Sequence, residues 1–99
     1  MSLSSPIDLE VLYRATLDRW GTDAQYDQAV EECAELITAL KHFKRNRIGV
    51  EELAEELADV TLMIGQLTWM VGPDRVAKAM DGKIEKLQGL LAAARGDMP

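Results

Sequence analysis

One cysteine, Cys33, stands among the 99 residues, so no internal disulfide can form and a reducing cytoplasm is the expected compartment. No apolar run approaches the roughly 18 residues of a membrane span. Met1 to Ser5 lacks the basic and then apolar pattern of a signal peptide. Basic residues are also few. Eleven Lys and Arg against seventeen Asp and Glu leave a formal charge of −6, which argues against nucleic-acid binding, because neutralising a phosphate backbone needs clustered cations. A small phosphate-bearing ligand stays open if a metal supplies the positive charge. There is one histidine, His42, and with Cys33 it makes no zinc ligand set. The paired Glu-x-x-His motifs of di-iron bundles are missing too. No segment shows the two-residue alternation of a half-buried strand.

Hydrophobic residues make up 47% of the chain and recur in helical periods, which argues for a folded all-α protein. The length suits one domain, residues 1–99, with an ordered core of about 6–94. Its modest core makes self-association an expectation. Ser5-Pro6 followed by Asp8 reads as an N-cap, a first-turn proline and a first-turn acid. Helix 1 then runs to about Trp20. Gly21 stops it, and Thr22 or Asp23 caps a second helix reaching about Arg45. Asn46 to Gly49 is a break. Helix 3 opens at Glu51-Glu52 and runs to about Val71, and Gly72-Pro73 starts helix 4, which continues to about Arg95.

Helix 3 carries a heptad-like stripe of Leu53, Leu57, Val60, Ile64, Leu67 and Val71, and helix 2 a matching one of Ala29, Cys33, Leu36, Leu40 and Phe43. Joined by a short loop, the two read as an antiparallel hairpin with these stripes as its seam and Cys33 as a buried small group. One residue over lie two mixed rows. On helix 2 they are Gln25, Gln28, Glu32, Glu35, Ala39 and His42; on helix 3, Glu52, Glu56, Asp59, Met63, Gln66 and Met70. They flank the seam, so they belong at its edge and not on the far solvent face.

With the turn centred between Arg47 and Ile48, Glu35 faces Val60 beside Asp59, Glu32 faces Met63, and Glu56 faces Ala39. The two acidic pairs are then offset by about four residues, or ~6 Å along the axis. Glu32, Glu35, Glu56 and Asp59 converge in this reading. A cluster of that kind survives by binding protons or a cation, and hard carboxylate oxygens suit Mg²⁺ or Mn²⁺.

Glu31-Glu32-Cys33-Ala34-Glu35, then twenty residues, then Glu56-Leu57-Ala58-Asp59, resembles the E-E-x-x-E … E-x-x-D signature of the MazG-like, all-α nucleoside triphosphate pyrophosphohydrolases. The similarity spans about Trp20 to Leu90. It implies a four-helix, bundle-like domain completed by oligomerisation, as a homodimer or a dimer of dimers. It implies metal ligands at Glu32, Glu35, Glu56 and Asp59, and a role for Glu31 in orienting or deprotonating the attacking water. The implied reaction is Mg²⁺-dependent hydrolysis of a nucleoside triphosphate between the α and β phosphates, giving a monophosphate and pyrophosphate, in the manner of a nucleotide-pool housecleaning enzyme. Lys83 and Lys86 resemble the family's late basic residues and would meet phosphates, although Asp81 stands where an Asn is more familiar. Trp20, Gln25, His42 and Phe43 are the candidates for the base.

Plainer readings stand beside these. The acidic rows are ordinary solvated faces if the two motifs are unrelated. His42 suits a helix C-terminus, as do Lys41, Lys44, Arg45 and Arg47. Trp20 and Trp69 suit packing anchors, and Met63 and Met70 the core. Lys83 and Lys86 suit a solvated face. The same fold also serves phosphoribosyl-ATP or dUTP as substrate, or persists as a non-catalytic helical interaction module.

Overall fold

The computed structural model describes residues 8–96, all helix, turn or short connection, with no strand among them. The Ser5-Pro6 cap lies outside the described residues. Asp8, expected inside the first turn, is itself the N-cap of α1 (Leu9–Trp20), its carboxylate accepting from the Glu10 N–H at 3.0 Å. Gly21 closes α1 by donating its N–H to the Leu17 carbonyl at 2.8 Å. It also serves as the N-cap of α2 (Thr22–Lys44). Its φ of 87° lies where a side chain would be strained. Because Gly21 makes the whole turn, Thr22 and Asp23 are already helical and neither is the cap that the sequence suggested.

Asn46 carries the break after α2 with φ 58°, a conformation asparagine tolerates better than most residues. The Arg47 N–H reaches back to the His42 carbonyl at 2.9 Å. Then α3 spans Val50–Val71 and α4 spans Pro73–Arg95, with Gly72 as cap and Pro73 at the first helical position. Among the described residues no helix is long and apolar enough to cross a membrane.

Among the described residues, 8–69 form one compact unit and 70–96 a second. In the second unit α4 buries none of its residues and carries an exposed apolar row of Met80, Ile84, Leu87 and Leu91.

In the first unit the inward faces differ from the expected seam. Gln25, Ala29 and Ala39 of α2 and Val60 and Gln66 of α3 are buried, with Glu32, Leu36, Leu53, Glu56 and Met63 half-buried. Cys33, Leu40, Phe43, Leu57 and Ile64, all assigned to the seam, are exposed. The inward face thus combines Ala29, Leu36, Leu53 and Val60 of the expected seam with Gln25, Glu32, Ala39, Glu56, Met63 and Gln66 of the mixed row. Small alanines and half-buried carboxylates sit between the helices, and the larger apolar groups stand along one flank.

Helix α1 buries no residue of its own, so polar side chains hold it. Gln66 donates its amide to the Tyr13 carbonyl at 3.0 Å and accepts the Thr16 hydroxyl at 2.8 Å. Gln25 donates to the Thr16 carbonyl at 3.2 Å. Satisfying both buried amides this way is what makes their burial tolerable. Tyr13 and Trp69 rings lie 6.4 Å apart, and the Arg14 guanidinium sits 5.2 Å from the Trp69 ring centre. Trp69 is therefore a packing anchor.

Candidate metal centre

Three acids meet where α2 and α3 face each other. One carboxylate oxygen from each of Glu32, Glu35 and Glu56 lies within 4.8 Å of the others. Glu32 and Glu35 share a face of α2 one turn apart, and the antiparallel return of α3 brings Glu56 opposite them. Asp59, expected as a fourth member, is exposed and stands outside this trio. Its charge nevertheless acts on Glu35.

The electrostatics match an unneutralised cluster. The Glu35 carboxyl is held above its ordinary value of 4.5, chiefly by the neighbouring Glu32, with further contributions from desolvation and from Glu56, Glu31 and Asp59. Glu31, the candidate for handling water, is exposed and belongs to this ring of charge. The Oε2 atoms of Glu32 and Glu56 are buried without a hydrogen-bond partner. A buried carboxylate oxygen left unpaired costs free energy unless a proton or cation satisfies it. This donor set, all carboxylate oxygens, fits Mg²⁺ or Mn²⁺.

Gln28 was not singled out as functional in the sequence, yet its amide donates to Glu32 Oε1 at 2.7 Å. That bond leaves Glu32 Oε2 as the free oxygen, an arrangement that orients a ligand from behind. The signal was present in the i, i+4 spacing of a Gln and a Glu on one helix face.

Two cavities adjoin the acids. One, of about 500 Å³, has Glu35, Glu52, Glu55 and Glu56 in its wall, with Thr38, His42 and Ile48. The other, of about 430 Å³, is lined by Thr16, Trp20, Ala24, Gln25, Gln28 and Met63 and contains no charged group. The four base candidates are thus divided. Trp20 and Gln25 line the neutral cavity, and His42 lines the acidic one. Phe43 lies at the end of α2 and is exposed. Gln25 already uses its amide to hold α1. Lys83 and Lys86 are exposed on α4, in the second compact unit.

No family model, no curated protein and no solved structure matches this chain.

Proposed function

We propose that the carboxylate cluster is the metal site of a nucleoside triphosphate pyrophosphohydrolase of the MazG-like kind, acting on a cytoplasmic nucleotide pool as a homo-oligomer. The observation that carries the reading is the set of three acids drawn within 4.8 Å, two of them with a buried oxygen lacking any partner. Glu32, Glu35 and Glu56 would hold Mg²⁺, or Mn²⁺, with Asp59 one turn beyond Glu56 as a further ligand. When bound, the ion neutralises phosphate oxygens and lowers the pKa of water near the α phosphate.

The chain's own side chains divide the rest of the work. Gln28 holds Glu32 in place. Glu31, exposed beside the cluster, accepts a proton from the incoming water. Lys83 and Lys86 of α4 are assigned to phosphate by the resemblance alone. The base belongs in the neutral cavity, where Trp20 offers an aromatic face and no charged group lines the wall. Hydrolysis between the α and β phosphates then releases a monophosphate and pyrophosphate.

The test is pyrophosphate release from a panel of canonical and modified nucleoside triphosphates, dUTP and phosphoribosyl-ATP, with Mg²⁺ and with EDTA. Metal-dependent release of pyrophosphate with a monophosphate co-product is the expected result, abolished in Glu35→Gln. No release from any substrate while Mg²⁺ still binds would reject catalysis and leave a helical interaction module.

A further inference from the structure

In the neutral cavity beside Trp20, the polar side chains spend their donors inside the protein and keep their oxygens free. The pattern starts at backbone carbonyls, which can only accept. The Tyr13 carbonyl takes the Gln66 amide at 3.0 Å, so Gln66 turns its Oε1 to the Thr16 hydroxyl at 2.8 Å. The Thr16 carbonyl in turn takes the Gln25 amide at 3.2 Å. That bond fixes which branch of the Gln25 amide is nitrogen and turns Oε1 away from the Thr16 carbonyl. Farther along α2, Gln28 gives its amide to Glu32 Oε1 at 2.7 Å. No described residue donates to the Oε1 of Gln25 or of Gln28. Gln25 is only 6% exposed, yet its Oε1 is not one of the fully buried oxygens without a partner, so that oxygen is open to a ligand. Gln25 lines the neutral cavity and a smaller, mostly apolar one of about 250 Å³ that shares Thr16 and Met63 with it, and Gln28 lines the neutral cavity.

We propose that Gln25 and Gln28 select the base: the cavity takes a nucleobase with an exocyclic amino group and rejects its oxo counterpart. That the ligand is a nucleobase rests on the pyrophosphohydrolase reading. That it carries an amino group follows from the two oxygens. The two residues stand three apart on α2, so their side chains rise from neighbouring positions ~5–6 Å apart on one face. An amino group whose two hydrogens make bonds of ~2.9 Å spans acceptors about 5 Å apart. One amino group therefore satisfies both oxygens. An oxo group in the same place sets a third carbonyl oxygen against these two and leaves all of them unpaired, the mismatch on which a polar site discriminates most strongly. The rest of the wall suits a flat, uncharged ring. Trp20, 62% exposed, offers an aromatic face, and Ala24 and Met63 offer apolar contact. At about 430 Å³ the cavity admits a pyrimidine or a purine, so the amino group and not ring size decides. Cytosine and adenine carry such a group beside a ring nitrogen. Uracil and hypoxanthine carry an oxo group there.

The test uses nucleosides in EDTA, so that neither phosphate nor metal contributes. Cytidine is compared with uridine, and adenosine with inosine, through the side-chain amide signals of Gln25 and Gln28 in NMR titrations. Within each pair the amino member should bind about tenfold more tightly, with a Kd on the order of 1 mM. Gln28→Met keeps the length of the side chain and removes its oxygen. It should bring both pairs close to parity, with helical circular dichroism retained. Gln28→Lys puts a donor in the same place and should turn the preference toward uridine and inosine. Equal binding within both pairs of the wild type, or tighter binding of the oxo members, would overturn the proposal and leave the pyrophosphohydrolase reading standing. So would a preference that Gln28→Met leaves undiminished. Amide signals that stay still with every nucleoside at about 10 mM would overturn it as well. Pyrophosphate release by the same protein would then put the base elsewhere, and its absence would remove the enzyme reading along with this one.

Discussion

Glu35 is the residue on which the site's behaviour turns. Its carboxyl titrates above its ordinary value because Glu32 stands beside it, so the folded chain holds a proton that the unfolded chain releases. The sign follows from linkage. Between 4.5 and the raised folded value, the native state binds more protons than the unfolded state, so stability falls as pH rises through that window. Metal-free protein should therefore lose thermal stability on going from mildly acidic to neutral pH. Glu35→Gln should flatten that loss, raise the melting temperature at neutral pH in EDTA, and remove most of the response to Mg²⁺. A variant less stable than wild type in EDTA, and equally responsive to Mg²⁺, would show that these carboxylates are not a metal site.

Helices, by contrast, are set by features that do not depend on charge. Gly21, the Asn46–Gly49 break and Gly72-Pro73 could be read directly, because a turn with positive φ or a proline leaves few alternatives. The convergence of Glu32, Glu35 and Glu56 was legible for a related reason: once two helices return on each other, spacing alone decides which acids meet. Which flank of each helix faces inward was not legible. Periodicity reveals that an apolar stripe exists but not what covers it, and the inward face draws on both rows, with small Ala29 from the stripe and Ala39 from the mixed row, and with amides that find partners across α1. The role of Gly65 was equally hidden. A Cβ there would meet the Tyr13 hydroxyl and lie 2.9 Å from Tyr13 Cζ, so the bare backbone of α3 is what lets α1 approach. Alanine at this position gains up to ~1 kcal/mol of helix propensity. The forced overlap outweighs that gain, and Gly65→Ala should lose about 1–2 kcal/mol net in urea unfolding. Adding Tyr13→Phe should recover part of the loss. Equal losses in both backgrounds would mean that the ring is not what Gly65 accommodates.

For the whole molecule, the question is whether Mg²⁺ acts at one place or merely screens a chain of net charge −6. The two cases separate because screening depends on ionic strength alone, whereas chelation depends on the ion. A ligand present at a hundred times its Kd and bound only by the folded state adds about 2.7 kcal/mol. At ~4–8 °C per kcal/mol for a domain of this size, that is a rise in melting temperature on the order of 10 °C or more. Sodium chloride of matched ionic strength should give only a small part of the rise. Glu35→Gln combined with Glu56→Gln should keep the sodium response and lose the magnesium excess, because the variant is still strongly acidic overall but no longer has three carboxylates within 4.8 Å of one another. Equal shifts in both salts would reduce the cluster to an acidic surface, since diffuse repulsion would then account for everything the metal does.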